Sequence, residues 1–317
     1  MPDQPTDALP VTIITGFLGS GKTTLLNRLL RHPELADTAV IVNEFGAVGL
    51  DHLLMEPAIE DAVLLANGCI CCTVRGDIAD TLDMLAERRA AGTIPPFRRV
   101  AIETTGLADP GPVAHAILDA RAGFRLDGIV ATLDAVHAPG QLARQPEARA
   151  QVALADRLVL TKADLADPAL ARAAAAALNP VAPILETPPG PADLFDLGPV
   201  ARPESWASAP PAAHVTFRHA ETIAATVLRH EAPIPPERLA LWLDSLLSLR
   251  GERVLRVKGI VWLAGVADPV AIHAVHHVPH PPVPLRRAAP GGSRIVVIGR
   301  GLSAAGLRAS FAAALAE

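Results

Sequence analysis

The sequence predicts an α/β protein in which a parallel sheet carries helices on both faces and a smaller α+β domain follows. Short apolar runs rich in β-branched residues recur along the first half of the chain, and helical patterns lie between them. The composition then changes after Glu186, where proline and small residues become frequent. A chain of 317 residues also exceeds the length at which one hydrophobic core usually stops growing. We therefore expect two domains.

The predicted strands of the first domain are five apolar runs, each bounded by turn or helix signals. They are residues 11–15, 39–43, 100–104, 128–134 and 157–162. Leucines at 25, 26, 29 and 30 follow the first run at helical spacing, and the helix after the cysteines repeats this pattern. Asp167-Pro168 starts a further helix that ends near Asn179-Pro180. This alternation is typical of a parallel sheet.

The second half of the chain predicts the smaller domain. Proline and small side chains in the stretch after Glu186 are typical of a linker. Beyond it we expect a helix at 236–249, a final helix, paired strands around 254–265, and further strands at 214–217, 271–278 and 294–299. The predicted organisation is a disordered tail at 1–10, a first domain at 11–190, a linker at 191–213 and an α+β domain at 214–317.

Composition argues against two classes of partner. The net charge is −5, aromatic residues make up 3% and tyrosine is absent, which is unlike a nucleic-acid surface. No apolar stretch approaches the ~20 residues of a membrane span, and the first ten residues do not resemble a signal peptide. With thiols too crowded to form disulfides, we expect a cytoplasmic protein that binds neither nucleic acid nor membrane.

Residues 16–23, GFLGSGKT, fit the pattern G-x-x-x-x-G-K-[ST] between a predicted strand and a predicted helix. This order favours a P-loop NTPase over a plain glycine-rich turn, because backbone N–H groups at the helix start then cradle phosphates. Lys22 is expected to reach the β- and γ-phosphates, and Thr23 to hold Mg²⁺. The predicted nucleotide-binding residues of this loop are Gly16, Phe17, Leu18, Gly19, Ser20, Gly21, Lys22, Thr23 and Thr24.

Two further sequences follow predicted strands. Glu103 ends one strand, where a carboxylate can hold Mg²⁺ through water, and Gly106 can sense the γ-phosphate through its N–H. Thr161, Lys162 and Asp164 follow another, and a carboxylate at 164 can accept the N–H groups of guanine. These residues predict GTP rather than ATP. Lys22, Lys162 and Lys258 are also the chain's three lysines among 28 basic residues, which marks them as places where arginine does not fit.

Several motifs in order resemble the CobW-like family of P-loop GTPases, which act as metallochaperones or metal-insertion factors. They are TGFLGSGKTT, VNEFG, NGCICC, ETTGLADP, DAVHA and TKAD, with a looser likeness through VLRVKG, AVHH and RIVVIG. The resemblance implies a switch region at 43–46, including Asn43 and Glu44, that responds to the γ-phosphate, with Asp51 nearby. Relatives commonly carry a glutamate after this region, and Ala47 stands there instead. The metal-ligand set can therefore differ from theirs.

The chain's three cysteines, Cys69, Cys71 and Cys72, fall within four positions. We expect them on a turn that leads into a helix near Val74 or Arg75, where thiols ionise more easily. Three thiolates with a fourth open position suit Zn²⁺, or Co²⁺ in the same geometry. Buried packing and a redox switch are the alternatives.

Four histidines lie close together at 273, 276, 277 and 280. On a strand, His273 and His277 share a face but stand ~13 Å apart, too far to chelate one ion. We therefore expect a solvated strand and its exit loop here.

The leading hypothesis is a GTP-hydrolysing metallochaperone that uses GTP/GDP and Mg²⁺ and delivers zinc to a client metalloprotein. Cobalt insertion for cobalamin synthesis, or activation of another metalloenzyme, is the alternative within the family. A redox-sensing GTPase switch and a metal-buffering protein are alternatives of other classes. A homo-oligomer is also compatible with the sequence.

Overall fold

The computed structural model describes residues 8–43, 63–64, 70–74, 77–120, 123–186, 189–195, 223–285 and 292–316. The chain divides into two compact units. The first unit contains a large, mainly parallel sheet, and the second contains a smaller antiparallel sheet. The second unit also includes the helices that lie between residues 135 and 156 and between 167 and 184.

The large sheet confirms the predicted α/β fold. Its strands are β1 (Leu9–Gly16), β2 (Thr38–Asn43), β3 (Val63–Leu64), β4 (Ile70–Val74), β5 (Arg99–Thr104), β6 (Phe124–Asp134), β7 (Arg157–Thr161) and β8 (Ile184–Glu186). They lie in the order β3-β4-β2-β5-β1-β6-β7-β8. From β4 to β7 each neighbouring pair is parallel, whereas β3 pairs antiparallel with β4. The carboxyl ends of β1, β5, β6 and β7 therefore meet at one edge.

Helices flank both sheets. They are α1 (Lys22–Leu29), α2 (Ile78–Ala90), α3 (Pro110–Asp119), α4 (Ala138–Arg144), α5 (Pro146–Leu154), α6 (Ala169–Leu178), α7 (Pro191–Leu194), α8 (Pro236–Arg250) and α9 (Ala304–Ala316). Leu25, Leu26 and Leu29 of α1 are buried against Ile14 and Val40, because their spacing places them on one face of the helix. Asp77 and Asp109 cap α2 and α3 by accepting backbone N–H bonds.

The second unit is built on strands β9 (Ile223–His230), β10 (Val254–Val261), β11 (Val270–Val275), β12 (Val278–Pro279), β13 (Val283–Pro284) and β14 (Ser293–Arg300). Their order is β12-β11-β10-β14-β9, and β13 pairs with β11. One face packs Val257, Ile272 and Ile295 against Trp242 of α8 and Phe311 of α9. Helices α5 and α6 contact the same sheet at β10 and β9.

Residues 254–261 form the single strand β10, which pairs with β11 and β14. One local prediction for the second half is wrong. The strand predicted at 271–278 ends at Val275, and a turn at His276 leads back into β12. His276 has a φ of 49°, a left-handed conformation that the sequence did not signal with glycine. The strand predicted at 214–217 lies outside the described residues.

Among the described helices, none combines the length and apolar character that crossing a bilayer requires.

Candidate functional site: a phosphate loop held from three sides

The predicted phosphate loop connects β1 to α1 at the carboxyl edge of the large sheet. Three of its glycines have positive φ: 140° at Gly16, 71° at Gly19 and 90° at Gly21. A Cβ at Gly16 would lie 2.3 Å from Thr132 Oγ1 and 2.6 Å from Thr132 O, so a side chain cannot fit there. The glycines thus provide both the backbone conformation and the close packing that the loop needs.

Lys22 extends from the first turn of α1 back over the loop. Its Nζ donates hydrogen bonds to Gly16 O at 2.9 Å and to Phe17 O at 3.3 Å. Just 9% of the residue is exposed. Burial lowers the pKa of the ammonium, and the nearby carboxylate of Glu103 opposes this effect. The positive charge therefore sits within the loop, where a phosphate would meet it.

Thr23 and Glu103 are brought together by the pairing of β1 with β5, in which Ile14 lies opposite Glu103. Thr23 Oγ1 donates to Glu103 Oε1 across 2.5 Å. Glu103 is 6% exposed and is the second-last residue of β5. A hydroxyl and a carboxylate at this spacing are the hard oxygen donors that Mg²⁺ prefers. The arrangement fits the predicted magnesium-binding pair.

Gly106 lies in the loop after β5 and approaches the phosphate loop closely. A Cβ on Gly106 would lie 2.8 Å from Leu18 N and 2.9 Å from Leu18 Cα. These are backbone atoms, which cannot move aside like the end of a side chain. The predicted γ-phosphate sensor thus contacts the phosphate loop directly.

The end of β7 and the residue that follows it support the loop from the other side. Thr161 Oγ1 donates to Ser20 O at 2.8 Å, and Lys162 Nζ donates to Gly19 O at 2.8 Å. Lys162 has a φ of 55°, an uncommon conformation for a residue other than glycine. Asp164 is exposed at the same edge, as expected for a carboxylate that would bind a base.

Sequence reasoning missed two residues at the end of β6. Thr132 Oγ1 and Ser20 Oγ lie 2.6 Å apart in a buried hydrogen bond. Asp134 Oδ2 accepts from Lys162 Nζ at 2.6 Å and is 2% exposed. The signal was available, because β6 follows the same strand–polar-residue pattern and Asp134 opens the motif DAVHA. Together these contacts hold Ser20 and Lys162 in place.

The prediction that the cysteines lie on a turn at the start of a helix is wrong for Cys71 and Cys72. Cys71 and Cys72 lie within strand β4, where they pair with Val40 and Ile41 of β2. Helix α2 begins at Ile78, beyond Val74 and Arg75. Neither of these two cysteines therefore lies at the start of a helix. Cys69, Glu44 and Asp51 lie outside the described residues, and Asn43 is the last residue of β2.

The expectation of a solvated histidine strand is also wrong. His273 and His280 are 3% and 8% exposed, and their rings stack with centroids 4.1 Å apart. The hairpin from β11 to β12 brings them together, whereas sequence spacing suggested a continuous strand. Among the described residues, no group of three or more His, Cys, Asp or Glu side chains forms a potential metal site.

Comparison with known proteins identifies the fold and the family. The family model of the CobW/HypB/UreG nucleotide-binding domain matches residues 10–186, more than half of the chain. The chain belongs to the CobW/HypB/UreG family. The family model of the cobalamin synthesis protein cobW C-terminal domain matches residues 223–315.

Curated relatives extend this assignment. The zinc chaperone YjiA of Escherichia coli strain K12 is 34% identical over 284 residues, which cover 85% of this chain and 87% of the relative. The zinc-regulated GTPase metalloprotein activator 1 of Schizosaccharomyces pombe is 36% identical over 198 residues, covering 58% of this chain and 47% of the relative. The zinc chaperone CobW of Pseudomonas aeruginosa is 36% identical over 198 residues, covering 52% of each. The chain thus spans about half the length of the last two.

Solved structures agree. The crystal structure of the Zn(II)-bound YjiA GTPase from E. coli has a TM-score of 0.75 and 28% identity, and covers 98% of this chain and 100% of that one. A Zn(II)-bound triple mutant of YjiA, with a glutamate and two cysteines replaced by alanine, gives a TM-score of 0.74 at the same identity and coverage.

Proposed function

We propose that this protein is a GTP-hydrolysing metallochaperone that carries zinc to a client metalloprotein. The main support for GTP binding and hydrolysis is the Thr23–Glu103 contact beside the buried ammonium of Lys22. The zinc half rests on the cysteine cluster of the sequence and on relatives that are named zinc chaperones. The client rests on the relative named a metalloprotein activator.

In the proposed reaction the loop from Gly16 to Thr24 binds the phosphates through backbone N–H groups at the start of α1. Lys22 neutralises the β- and γ-phosphates, and Thr23 and Glu103 hold Mg²⁺. The metal would supply charge stabilisation at the phosphate oxygens. Gly106, at the edge of the loop, would respond to the presence of the γ-phosphate. The switch residues Asn43 and Glu44 and the residue Asp51 keep the roles that the family resemblance implies.

Guanine recognition is assigned to Asp164, with Thr161 and Lys162 placing it. The carboxylate is exposed at the loop edge, and Lys162, two residues before it, donates to Gly19 O and Asp134 Oδ2. Adenine lacks the N1–H and the amino group that a carboxylate would accept.

The test of guanine recognition is Asp164→Asn. The change removes two charge-assisted hydrogen bonds, so GTP affinity should fall by about 100-fold or more, with the melting temperature unchanged. Asp119→Asn, which also removes an exposed carboxylate from the first unit, is the matched control. Titration of a fluorescent guanine nucleotide measures both variants. Equal binding of ATP and GTP by the unmodified protein would contradict the guanine assignment.

The metal cargo is assigned to Cys69, Cys71 and Cys72, with zinc preferred and cobalt as the alternative in the same tetrahedral geometry. Cys71 and Cys72 lie on β4, which pairs with the strand that ends at Asn43. A γ-phosphate that reorders the segment after Asn43 would thus act on a strand neighbouring the cysteines. This proximity gives a physical route for nucleotide control of metal release.

The test of the cargo site is the Cys69→Ser/Cys71→Ser/Cys72→Ser variant, with exposed His32→Gln as control. A chelator competition titration measures zinc affinity with GDP and with a non-hydrolysable GTP analogue. Wild-type affinities should differ by about 5- to 150-fold between the two states, and the triple variant should lose tight binding but keep GTP hydrolysis. Equal affinities would favour a metal buffer. Because a YjiA variant without two cysteines is still Zn(II)-bound, the titration must also report stoichiometry.

A further inference from the structure

Ser20 is buried, unlike the neighbouring tip of the phosphate loop. It is 1% exposed, whereas Leu18 is 55% exposed. Its backbone N–H donates to Phe17 O at 3.1 Å. Its carbonyl accepts from Thr161 Oγ1 at 2.8 Å, and its hydroxyl is hydrogen-bonded to Thr132 Oγ1 at 2.6 Å. Ser20 therefore attaches the loop to strands β6 and β7.

Thr132 contacts the loop at both of its ends. It lies opposite Gly16 in the parallel ladder between β1 and β6. Its Oγ1 donates to Thr15 O at 3.3 Å and also meets Ser20 Oγ. A Cβ on Gly16 would lie 2.3 Å from Thr132 Oγ1 and 2.7 Å from Ser20 Oγ. One hydroxyl thus lies between the residue at which the loop leaves β1 and the residue that comes two positions before α1 begins.

Strand β6 holds this hydroxyl in a fixed place. Thr132 lies opposite Gly16 on one side of β6 and opposite Val159 on the other. The residue is 2% exposed, and a β-branched side chain has few rotamers to choose from. Because the strand is paired along both edges, the hydroxyl cannot follow the loop if the loop moves. The loop must instead take the position that the hydroxyl sets.

The hydrogen bond between Thr132 and Ser20 bears on ligand binding because of what its loss would do. Without it, Ser20 would have a buried hydroxyl with no partner, which is costly because that group has also lost its bonds to water. The loop would remove this cost by moving Ser20 outwards to solvent. Such a shift would carry the neighbouring backbone N–H groups away from the positions in which they would bind phosphate.

We propose that Thr132 is a positioning residue for nucleotide binding, because its hydroxyl sets the position of the phosphate loop through Ser20. The role rests on the proposed function of the loop, and it adds a residue of β6 that lies outside the pattern G-x-x-x-x-G-K-[ST]. Thr132 is buried beneath the loop, so it acts through Ser20 and not by contact with the nucleotide. GTP and GDP share the phosphates nearest the helix start, so both should depend on this hydroxyl equally.

Thr132→Val and Thr132→Ser separate the hydroxyl from the bulk of the side chain. Valine keeps the shape of threonine and loses the hydroxyl, whereas serine keeps the hydroxyl and loses the methyl group. Thr132→Val should lower the affinity for GDP and for a non-hydrolysable GTP analogue by about tenfold each. The KM for GTP should rise by the same factor with kcat unchanged, because the loop binds the phosphates in the ground state and the transition state alike. Thr132→Ser should keep the affinities of the wild type.

Thr12→Val is the matched control for the loss of a buried hydroxyl. Thr12 is also a threonine of the large sheet, is 2% exposed and donates to Asp127 Oδ2 at 3.1 Å. This variant should lower the melting temperature and leave both nucleotide affinities unchanged. Equal affinity losses in Thr12→Val and Thr132→Val would mean a general structural effect and would refute the positioning role.

Ser20→Ala provides a second route to the same hydrogen bond, which serves if Thr132→Val does not fold. It should also weaken GDP and the GTP analogue equally. The Ser20→Ala/Thr132→Val double variant should lose no more affinity than Thr132→Val alone, because the two changes remove one shared bond. Losses that add in the double variant would contradict the proposal.

The remaining outcomes distinguish this role from the proposed function. If the wild type binds guanine nucleotides and Thr132→Val binds them equally well, the positioning role is refuted and the proposed function stands. If Thr132→Ser loses as much affinity as Thr132→Val, the side chain acts by packing and the role is again refuted. A wild-type protein that binds no guanine nucleotide would refute the proposed function and this role with it.

Discussion

Gly106→Ala tests how tightly the loop after β5 is pressed against the phosphate loop. The new Cβ would lie 2.6 Å from Leu18 Cδ2, 2.8 Å from Leu18 N and 2.9 Å from Leu18 Cα. The Cδ2 contact is relieved by rotating a side chain that is 55% exposed, but the two main-chain contacts are not. One of the loops must therefore shift. Overpacking of this kind costs about 1–3 kcal/mol.

The strain should appear in nucleotide binding, since Leu18 is part of the loop that we propose binds the phosphates. Its cost corresponds to a loss of about 5- to 150-fold in GTP affinity, measured by titration of a fluorescent GTP analogue. Gly306→Ala is the control, because its Cβ would meet Ser303 Cβ at an ordinary 3.5 Å. Adding Leu18→Ala should restore binding in part at most. Wild-type affinity in Gly106→Ala, or complete recovery in the double variant, would refute the reasoning.

Two further predictions concern ionisable groups. Lys22→Arg should abolish GTP hydrolysis, because a planar guanidinium cannot take the place of an ammonium bonded to Gly16 O and Phe17 O. Phosphate release in the presence of Mg²⁺ measures this. Normal turnover would contradict the assignment of Lys22 to the phosphates. The free energy of unfolding should fall as the pH drops from 6.5 towards 4. Burial, and secondly the charge of Arg256, lowers the pKa of His280 to about 4 in the folded state, whereas the same histidine in the unfolded chain has a pKa near 6.5. His280 alone should lower the free energy of unfolding by about 2 kcal/mol at pH 5. His273 should act in the same direction, because burial also lowers its pKa. The groups that face His273 are His280, Arg256, Lys258 and Asp156, and chemical denaturation of His280→Gln should show a shallower pH dependence than wild type.

The phosphate loop and the parallel sheet were predictable because their signals are local. Residues 16–23 combine glycines, a lysine and a threonine at fixed spacing, and the structure places them between β1 and α1 as expected. The contact of Glu103 with Thr23 followed from the adjacency of strand ends in a parallel sheet. The bonds of Lys162 to Gly19 and Asp134 did not follow, since they depend on which strand lies beside β7.

The second unit was harder to predict because its contacts are non-local. The stacking of His273 on His280 requires a reversal of the chain at His276, where a non-glycine residue has a positive φ. The sequence pattern instead predicted one continuous strand at 271–278. Likewise, the salt bridge of Lys258 with Asp156 joins residues about a hundred positions apart. The scarcity of lysine nevertheless pointed to constrained positions: Lys22 and Lys258 are buried, and Lys162 bridges Gly19 and Asp134.

The contacts of Lys162 connect the proposed phosphate-binding loop with the proposed base-binding residue. Its ammonium bonds to a carbonyl of the loop that would hold the phosphates, and it lies two residues before the carboxylate that would select the base. A change at Asp164 can therefore alter base preference and leave the hold on the phosphates intact. A change at Lys162 or at its partner Asp134 would weaken both together. If these roles hold, a new base preference could be engineered at Asp164, whereas changes at Lys162 or Asp134 would also disturb the phosphate loop.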